Sequence, residues 1–298
     1  MAGVGRGAAD AAPPCPGVAF GPDFTRRLER FVLRVASARE RREGSGRAAL
    51  GGSGEEFIGF RPYRSGEDLR ALDWSLFARL DQPYVRVTRR EASERWTLFV
   101  DTSASMGVGP PGKLQSAAEV TCALACLGLR MGARVQVVPS HASGSRGEIV
   151  VRRKPDLPGL LNFCESQRAQ GARGLAGLIA ERRPPAEAGR VFLIGDLFDL
   201  QASDVLGLTR RGRELFCVQI LAPIEFTPPA LGSVEWKDPE GEGRLALEVD
   251  EAQAAAYERE LHERLESWRL LAARHRFGHG SFSSDTPFED VVRTLLGA

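Results

Sequence analysis

The sequence has no long apolar run and almost no net charge, and each absence removes a class of protein. No stretch approaches the ~20 apolar residues that span a bilayer. The first residues are rich in Ala, Gly and Pro and lack the apolar core of a secretory signal. Forty basic and thirty-nine acidic residues leave a net charge of +1, so no overall field favours nucleic acid or an anionic membrane. We expect a cytoplasmic protein without a membrane span.

Paired cysteine motifs and the common hydrolase motifs are also missing. The five cysteines form no C-x-x-C pair, and several lie in apolar runs where free thiols pack as small hydrophobic side chains. We expect them to be reduced, which suits the cytosol. There is no G-x-S-x-G elbow and no H-E-x-x-H zinc motif.

The composition changes along the chain and predicts three parts. Residues 1–22 are expected to form a flexible tail, and residues 23–91 an N-terminal helix followed by a segment dense in aromatic and charged side chains. In residues 92–298, the apolar runs WTLFVD, RVQVVP, RVFLIGD and LFCVQIL alternate with segments of helical length. Such alternation predicts an α/β fold with a doubly wound, mainly parallel sheet that is covered on both faces.

Polar side chains follow two of these strands at the points where they end. Asp101, Ser103 and Ser105 spell D-x-S-x-S after the first strand, and Asp196 ends RVFLIGD. Because open α/β sheets bind ligands at the carboxyl ends of their strands, the two acids could converge on one crevice. Their oxygens suit a hard ion such as Mg²⁺ or Mn²⁺. The alternative is that Asp101 only caps the following turn through backbone amides.

The same loop also contains a glycine pattern that is typical of nucleotide sites. Gly107, Gly109 and Gly112 spell G-x-G-x-x-G. In a dinucleotide-binding turn, however, the first glycine follows the strand directly, and here five residues separate it from Asp101. The prolines within the motif also keep the chain out of a helix, so we do not expect nucleotide binding here.

Two motifs carry a resemblance to known families. D-x-S-x-S after an apolar strand, with a later strand ending in aspartate, resembles the von Willebrand factor A domain and its metal-ion-dependent adhesion site. RPYRSGEDLRALDW at residues 61–74, followed by Ala78 and Arg79, is similar to the signature of domain-of-unknown-function family 58. This second likeness runs from about Gly44 to the C-terminus.

The resemblance implies a fold, a metal site and a partner. The fold is a von Willebrand A-like (Rossmann-type) sheet preceded by a small helical and β segment. The implied metal ligands for Mg²⁺ or Mn²⁺ are Asp101, Ser103, Ser105 and Asp196. The implied partners are a MoxR-type AAA+ ATPase and an unknown client protein, in chaperone-like assembly or maturation.

The sequence departs from the adhesion site at one position. The resemblance implies a threonine in a G-G-T-like loop, which aligns with residues 171–175, and Arg173 stands there instead. Its guanidinium could pair with Asp101 or Asp196 and replace the cation, since arginine matches carboxylates well. Alternatively it points to solvent and a weaker three-ligand site remains.

The segment before the sheet offers a second candidate surface. Its candidate partner-binding residues are Arg61, Tyr63, Arg70, Asp73, Trp74 and Arg79. Arginines beside aromatic anchors are typical of protein interfaces. The same charges could instead form internal ion pairs that hold this segment to the main domain.

Two functions from different classes follow. The first is a non-enzymatic interaction module, and the second is a metal-dependent hydrolase that uses Asp101 and Asp196. A hydrolase needs a general base or an activated nucleophile beside the ion. Since the sequence offers hydroxyl ligands and no evident base, we predict the interaction module.

Overall fold

The computed structural model describes residues 17–42, 55–63, 72–90, 94–141, 147–209, 212–227, 231–241 and 243–297. Helices and strands alternate along most of this length. In chain order they are α1 (Phe24–Arg42), β1 (Glu55–Pro62), α2 (Trp74–Leu80), β2 (Tyr84–Arg90), β3 (Arg95–Val100), α3 (Lys113–Arg130), β4 (Arg134–Pro139), β5 (Ile149–Val151), α4 (Leu157–Glu165), α5 (Leu175–Glu181), β6 (Ala188–Gly195), α6 (Ala202–Leu206), β7 (Glu214–Leu221), α7 (Pro223–Phe226), β8 (Gly232–Lys237), β9 (Arg244–Val249), α8 (Glu251–His275), β10 (Gly278–Ser283) and α9 (Phe288–Leu296).

A six-stranded sheet forms the centre of the molecule. Its order is β10-β7-β6-β3-β4-β5, and every neighbouring pair is parallel except β4 and β5. The predicted α/β fold with a mainly parallel sheet is therefore confirmed. The chain runs outward from β3 to β5 and then returns to β6 on the other side of β3. The strand order thus reverses between β3 and β6, which is where open α/β sheets bind ligands.

Both faces of the sheet are covered, because side chains of each strand alternate between two apolar layers. On β3, Leu98 and Val100 enter one cluster, whereas Phe99 enters the other. The first cluster contains residues of α1, α3, α4 and α9, and the second contains residues of α5, α6 and α8. This double cover explains why the strands read as almost continuous apolar runs.

The N-terminal residues that the structure describes pack against the main sheet layer. Residues 1–16 of the predicted tail lie outside the described residues. Residues 17–22 are held in place, since Val18 is buried and the Ala19 amide donates to Gln115 Oε1 at 2.9 Å. Phe24 of α1 then packs edge-on against Phe288 of α9, with ring centroids 5.4 Å apart. The prediction of a flexible tail is therefore wrong for residues 17–22.

Two small antiparallel sheets accompany the central one. β1 pairs with β2, and α2 lies between them in sequence. β8 pairs with β9, as the segments SVEWKD and RLALEV predict. None of the helices in the described ranges combines the length and apolar character that crossing a bilayer requires.

Candidate functional site

Two aspartates meet where the strand order reverses. Asp101 follows β3 and Asp196 follows β6, and both side chains are almost completely buried. The Asp101 amide donates to the carbonyl of Ile194 at 2.8 Å, which continues the ladder between the two strands. A Cβ atom on Gly195 would lie 2.5 Å from the Asp101 Cβ, so the missing side chain lets the strand ends approach. The sequence places both carboxylates at one edge, and the structure brings them together.

The two serines join these aspartates into one chain of hydrogen bonds. The Ser103 amide donates to Asp101 Oδ1 at 2.8 Å, and the Ser103 and Ser105 hydroxyls are 3.0 Å apart. Ser105 Oγ then donates to Asp196 Oδ2 at 2.9 Å. We call these four residues the crevice. Because Asp101 accepts a backbone amide two residues ahead, the turn-capping interpretation is also realised, alongside the clustering of oxygen ligands.

A buried lysine completes the site, and the sequence analysis did not single it out. Lys113 is the first residue of α3 and its side chain is fully buried. Its Nζ lies 3.0 Å from Asp196 Oδ2 and 2.8 Å from Glu225 Oε1. The local sequence does not assign it to the site, because both carboxylates come from distant segments.

Burial and like charges shift the pKa values of this cluster. Burial alone would lower the pKa of Lys113, but Asp196 and Glu225 outweigh it and raise that pKa above its usual value. Burial and then the charge of Asp196 raise the pKa of Asp101 to about 7, against hydrogen bonds from Ser103 that lower it. Burial also raises the pKa of Asp199, to which Asp196 contributes. The raised pKa values of Asp101 and Asp199 thus reflect burial and repulsion from the neighbouring carboxylate of Asp196.

Arg173 does not contact either aspartate of the crevice. Its Nε donates to the Ser140 carbonyl at 2.6 Å, and its Nη1 pairs with Glu181 at 2.7 Å. Of the two alternatives for Arg173, pairing with Asp101 or Asp196 is not seen, because the loop directs the guanidinium along α5. The cation that does bind a crevice carboxylate is Lys113.

The predicted ligand set comes together, but its hydrogen bonds do not fit the predicted four-ligand divalent site. Asp196 Oδ2 already accepts from Ser105 and Lys113, and Asp196 Oδ1 accepts the amide of Phe198 at 3.2 Å. Asp101 Oδ1 accepts the Ser103 amide at 2.8 Å and the Ser140 hydroxyl at 3.2 Å, so an octahedral ion would be left with Asp101 Oδ2 and two hydroxyls. Within the described ranges, no group of three or more His, Cys, Asp and Glu side chains is placed to hold a metal ion.

The described residues of the second candidate surface lie on or beside β1 and α2. Arg70 lies outside the described residues. Asp73 caps α2 by accepting the amide of Leu76 at 3.0 Å, so this acid has a local structural role. Trp74 is 62% exposed and packs edge-on against Phe77, with ring centroids 6.1 Å apart.

The other predicted residues of this surface lie on the same unit. Arg61 Nη1 donates to the carbonyl of Pro62 at 3.3 Å, and the Tyr63 amide donates to the carbonyl of Pro83 at 2.9 Å. Arg79 lies in the last turn of α2 and is exposed. Exposed aromatic and basic side chains are typical of protein-binding surfaces, and the role of these residues in partner binding stays a prediction.

Three exposed apolar side chains adjoin the buried ion pairs, and the sequence analysis missed them. Phe198 follows Asp196 by two residues, and Ile224 and Phe226 flank Glu225 on α7. They are 39%, 64% and 38% exposed. We call them the apolar rim. Short irregular segments after strands give no periodic signal, which is why the pattern of the sequence did not reveal them.

Comparison with known proteins gives a family and several relatives. The profile of the family described as "Protein of unknown function DUF58" matches residues 59–155. Uncharacterized proteins of Mycobacterium bovis and Mycobacterium tuberculosis are 28% identical over 263 residues, which cover 83% of this chain and 73% of theirs.

Two solved structures are distantly similar. One is the conserved hypothetical protein BatB from Bacteroides thetaiotaomicron, with 13% identity, a TM-score of 0.43, and coverage of 69% of this chain and 98% of that one. The other is an aerotolerance-related membrane protein from Bacteroides fragilis, with 14% identity, a TM-score of 0.38, and coverage of 69% and 100%. At these TM-scores neither likeness bears on the fold or the function. The family profile matches about a third of this chain, and the mycobacterial relatives are similar to most of it.

Proposed function

We propose that this chain is a non-enzymatic protein-interaction module that binds a partner protein at the crevice. The observation that carries the proposal is the position of the crevice. Asp101 and Asp196 leave adjacent parallel strands at the point where the strand order reverses, and Ser103 and Ser105 link them. Ligands of open α/β sheets bind at this point. The apolar rim beside it supplies the kind of surface that protein partners bury.

A finer assignment follows from the strand order and the motifs. Numbered along the chain, the six strands of the central sheet lie in the order 3-2-1-4-5-6, with only the third antiparallel. Together with D-x-S-x-S, this order supports a von Willebrand A-like domain. The resemblance of residues 61–79 to family 58 supports a MoxR-type AAA+ ATPase as the partner. We propose that the two proteins act together in chaperone-like assembly or maturation of a client.

The hydrogen bonds of the crevice favour binding over catalysis. For hydrolysis, Ser105 would need a neighbouring base to remove its proton. Its acceptor is Asp196, and the Lys113 ammonium holds the same oxygen at 3.0 Å. A carboxylate that is paired with a buried ammonium is a poor base. Asp196 therefore positions the serine and the lysine rather than activating a nucleophile.

The proposal is tested by measuring binding to the purified MoxR-type ATPase of the same organism, with ATP or ADP present. Ser105→Ala removes the hydroxyl that bridges the serines and Asp196, and we expect at least about tenfold weaker binding, or 1.4 kcal/mol. Ser267→Ala is the matched control, because Ser267 is exposed on α8. Circular dichroism shows whether both variants keep the fold.

Two other results would redirect the proposal. Equal binding by Ser105→Ala and Ser267→Ala would remove the crevice as the docking site. If Trp74→Ala alone weakened binding, the partner would dock on α2 instead. Metal-dependent turnover in a broad phosphatase and esterase screen, lost in Ser105→Ala, would favour the hydrolase.

A further inference from the structure

Lys113 is fixed in the crevice by two carboxylates that come from different parts of the chain. Asp196 follows β6, and Glu225 lies on α7. The ammonium contacts both at 3.0 and 2.8 Å, and the lysine side chain has no solvent exposure. Burying an ammonium is costly unless it is paired and hydrogen-bonded. Both requirements are met, so the ammonium is a built part of the site.

The lysine uses the same carboxylate oxygen that a metal ion in this crevice would need. Ser105 Oγ and Lys113 Nζ both donate to Asp196 Oδ2, and the Phe198 amide donates to Asp196 Oδ1. A divalent ion that binds Asp196 Oδ2 would compete with the serine and the lysine for this oxygen. It would also lie close to a buried positive charge, which repels it strongly in a medium of low dielectric constant.

The second partner of the lysine is itself held in place. Glu225 Oε2 accepts the amide of Ala222 at 2.6 Å, and Tyr257 Oη of α8 donates to the Glu225 carbonyl at 2.7 Å. If Lys113 moved away, the buried Asp196 and the partly buried Glu225 would both lose their counter-charge.

We propose that Lys113 is the resident cation of the crevice and takes the place of a divalent ion there. The proposal concerns Lys113, which no family resemblance assigned to the site, and it rests on the proposed function only in using the same crevice. The ammonium neutralises Asp196 and holds it against Ser105. The crevice then binds its partner in the presence of a chelator.

Titration of Mn²⁺ into chelator-treated protein, followed by calorimetry, tests the proposal. We expect the wild type to give no saturable heat of binding over the range of Mn²⁺ concentrations in which Lys113→Met binds one ion per chain. The affinity of Lys113→Met for Mn²⁺ should be at least about tenfold higher than that of the wild type. The added Asp101→Asn substitution in Lys113→Met should remove that binding. Lys154→Met is the matched control, because the Lys154 side chain is 80% exposed and pairs with Glu29 at the surface. It should behave as the wild type.

Two results would overturn the proposal. One is saturable Mn²⁺ binding by the wild type that disappears in Asp101→Asn. The other is a folded Lys113→Met variant that binds no more tightly than the wild type. If Lys113→Met does not fold, Lys113→Met/Glu225→Gln relieves the unpaired charge on Glu225, and the wild-type titration remains decisive against the proposal on its own.

The outcome is separable from that of the proposed function. Failure of the ATPase to bind with or without chelator would contradict the interaction module and leave the Mn²⁺ titration unaffected. In assays without nucleotide, whose binding to the ATPase itself uses a divalent ion, partner binding that needs added Mn²⁺ and is lost with chelator would support the module and overturn the role of Lys113. Binding that is unchanged by chelator supports both.

Discussion

Gly195 and Asp101 face each other so closely across β6 and β3 that a Cβ atom on Gly195 would lie 2.5 Å from the Cβ of Asp101. Real Cβ atoms do not approach to this distance, so the strand ends must separate if residue 195 gains a side chain. The glycine therefore allows the strand ends that carry Asp101 and Asp196 to lie close together.

Gly195→Ala should lower the free energy of unfolding by about 1–3 kcal/mol, the usual effect of overpacking a tight core. Urea denaturation measures this change. Gly21→Ala is the matched control, because no atom lies within 4 Å of the position its Cβ would take. If the two variants were equally stable, the close approach of β3 and β6 would not be a constraint on the fold.

Removal of Lys113 should destabilise the protein far more than removal of an exposed lysine. Lys113→Met leaves the buried Asp196 and the partly buried Glu225 without their counter-charge, and breaking a buried pair costs about 3–5 kcal/mol. Lys154→Met removes only an exposed ion pair, which contributes at most about 1 kcal/mol. Urea unfolding of both variants at pH 7 gives the comparison.

A double-mutant cycle separates the ion pair from other effects of the methionine. Glu225→Gln removes one of the two carboxylates, so Lys113→Met should cost less in that background than in the wild type. Additive effects of the two substitutions would show that Lys113 and Glu225 do not interact energetically.

Much of the fold could be predicted from the sequence because its signals are local. The amphipathic pattern of the sequence predicts one long helix from about Glu251 to His275, and α8 spans these residues, with Asp250 capping its first turn by accepting the Gln253 amide at 2.7 Å. The apolar runs that became β3 and β6 are buried on both faces, and the acids at their ends fall at one sheet edge. These predictions depend only on residues that are neighbours in sequence.

The parts that could not be predicted depend on contacts between distant segments. Lys113 and Glu225 are 112 residues apart, and Lys113 is visible as a site residue only once α3 and α7 are packed together. Composition also predicted a flexible tail at the N-terminus, where Val18 and Phe20 lie among Gly, Ala and Pro. Their burial and stacking depend on a surface that α1 and α3 form elsewhere.

The packing of α1 predicts that this helix stabilises the whole α/β unit. Phe24 is buried against Phe288, so Phe24→Ala should cost about 3–5 kcal/mol, the usual range for a buried phenylalanine. Leu33→Ala on the same helix is the control, because Leu33 is 55% exposed. Thermal unfolding should show one transition that moves to lower temperature in Phe24→Ala. A separate low-temperature transition, with the main one unchanged, would instead make α1 an independent unit.

We predict that burial of the His279 side chain makes the folded protein less stable in mild acid. It lies on β10 and stacks on Trp268, and its Nε2 is buried without a hydrogen-bond partner among the described residues. Burial lowers the pKa of His279 from 6.5 to about 4. Between these two values the unfolded chain binds a proton that the folded protein does not, so stability falls as the pH drops below 6.5.

At pH 5 this difference lowers the free energy of unfolding by at most about 2 kcal/mol, and this is an upper limit because the ring keeps some exposure. The measurement is urea unfolding of the wild type and His279→Gln at pH 7 and pH 5. The stability lost between these pH values should be smaller in the variant, because glutamine does not titrate. His262→Gln, on an exposed face of α8, should lose as much stability between the two pH values as the wild type.

Comparing these losses rather than absolute stabilities cancels the opposite contribution of Asp101, whose pKa near 7 favours the folded state in acid. Equal losses in the wild type and His279→Gln would show that His279 is not held neutral by burial.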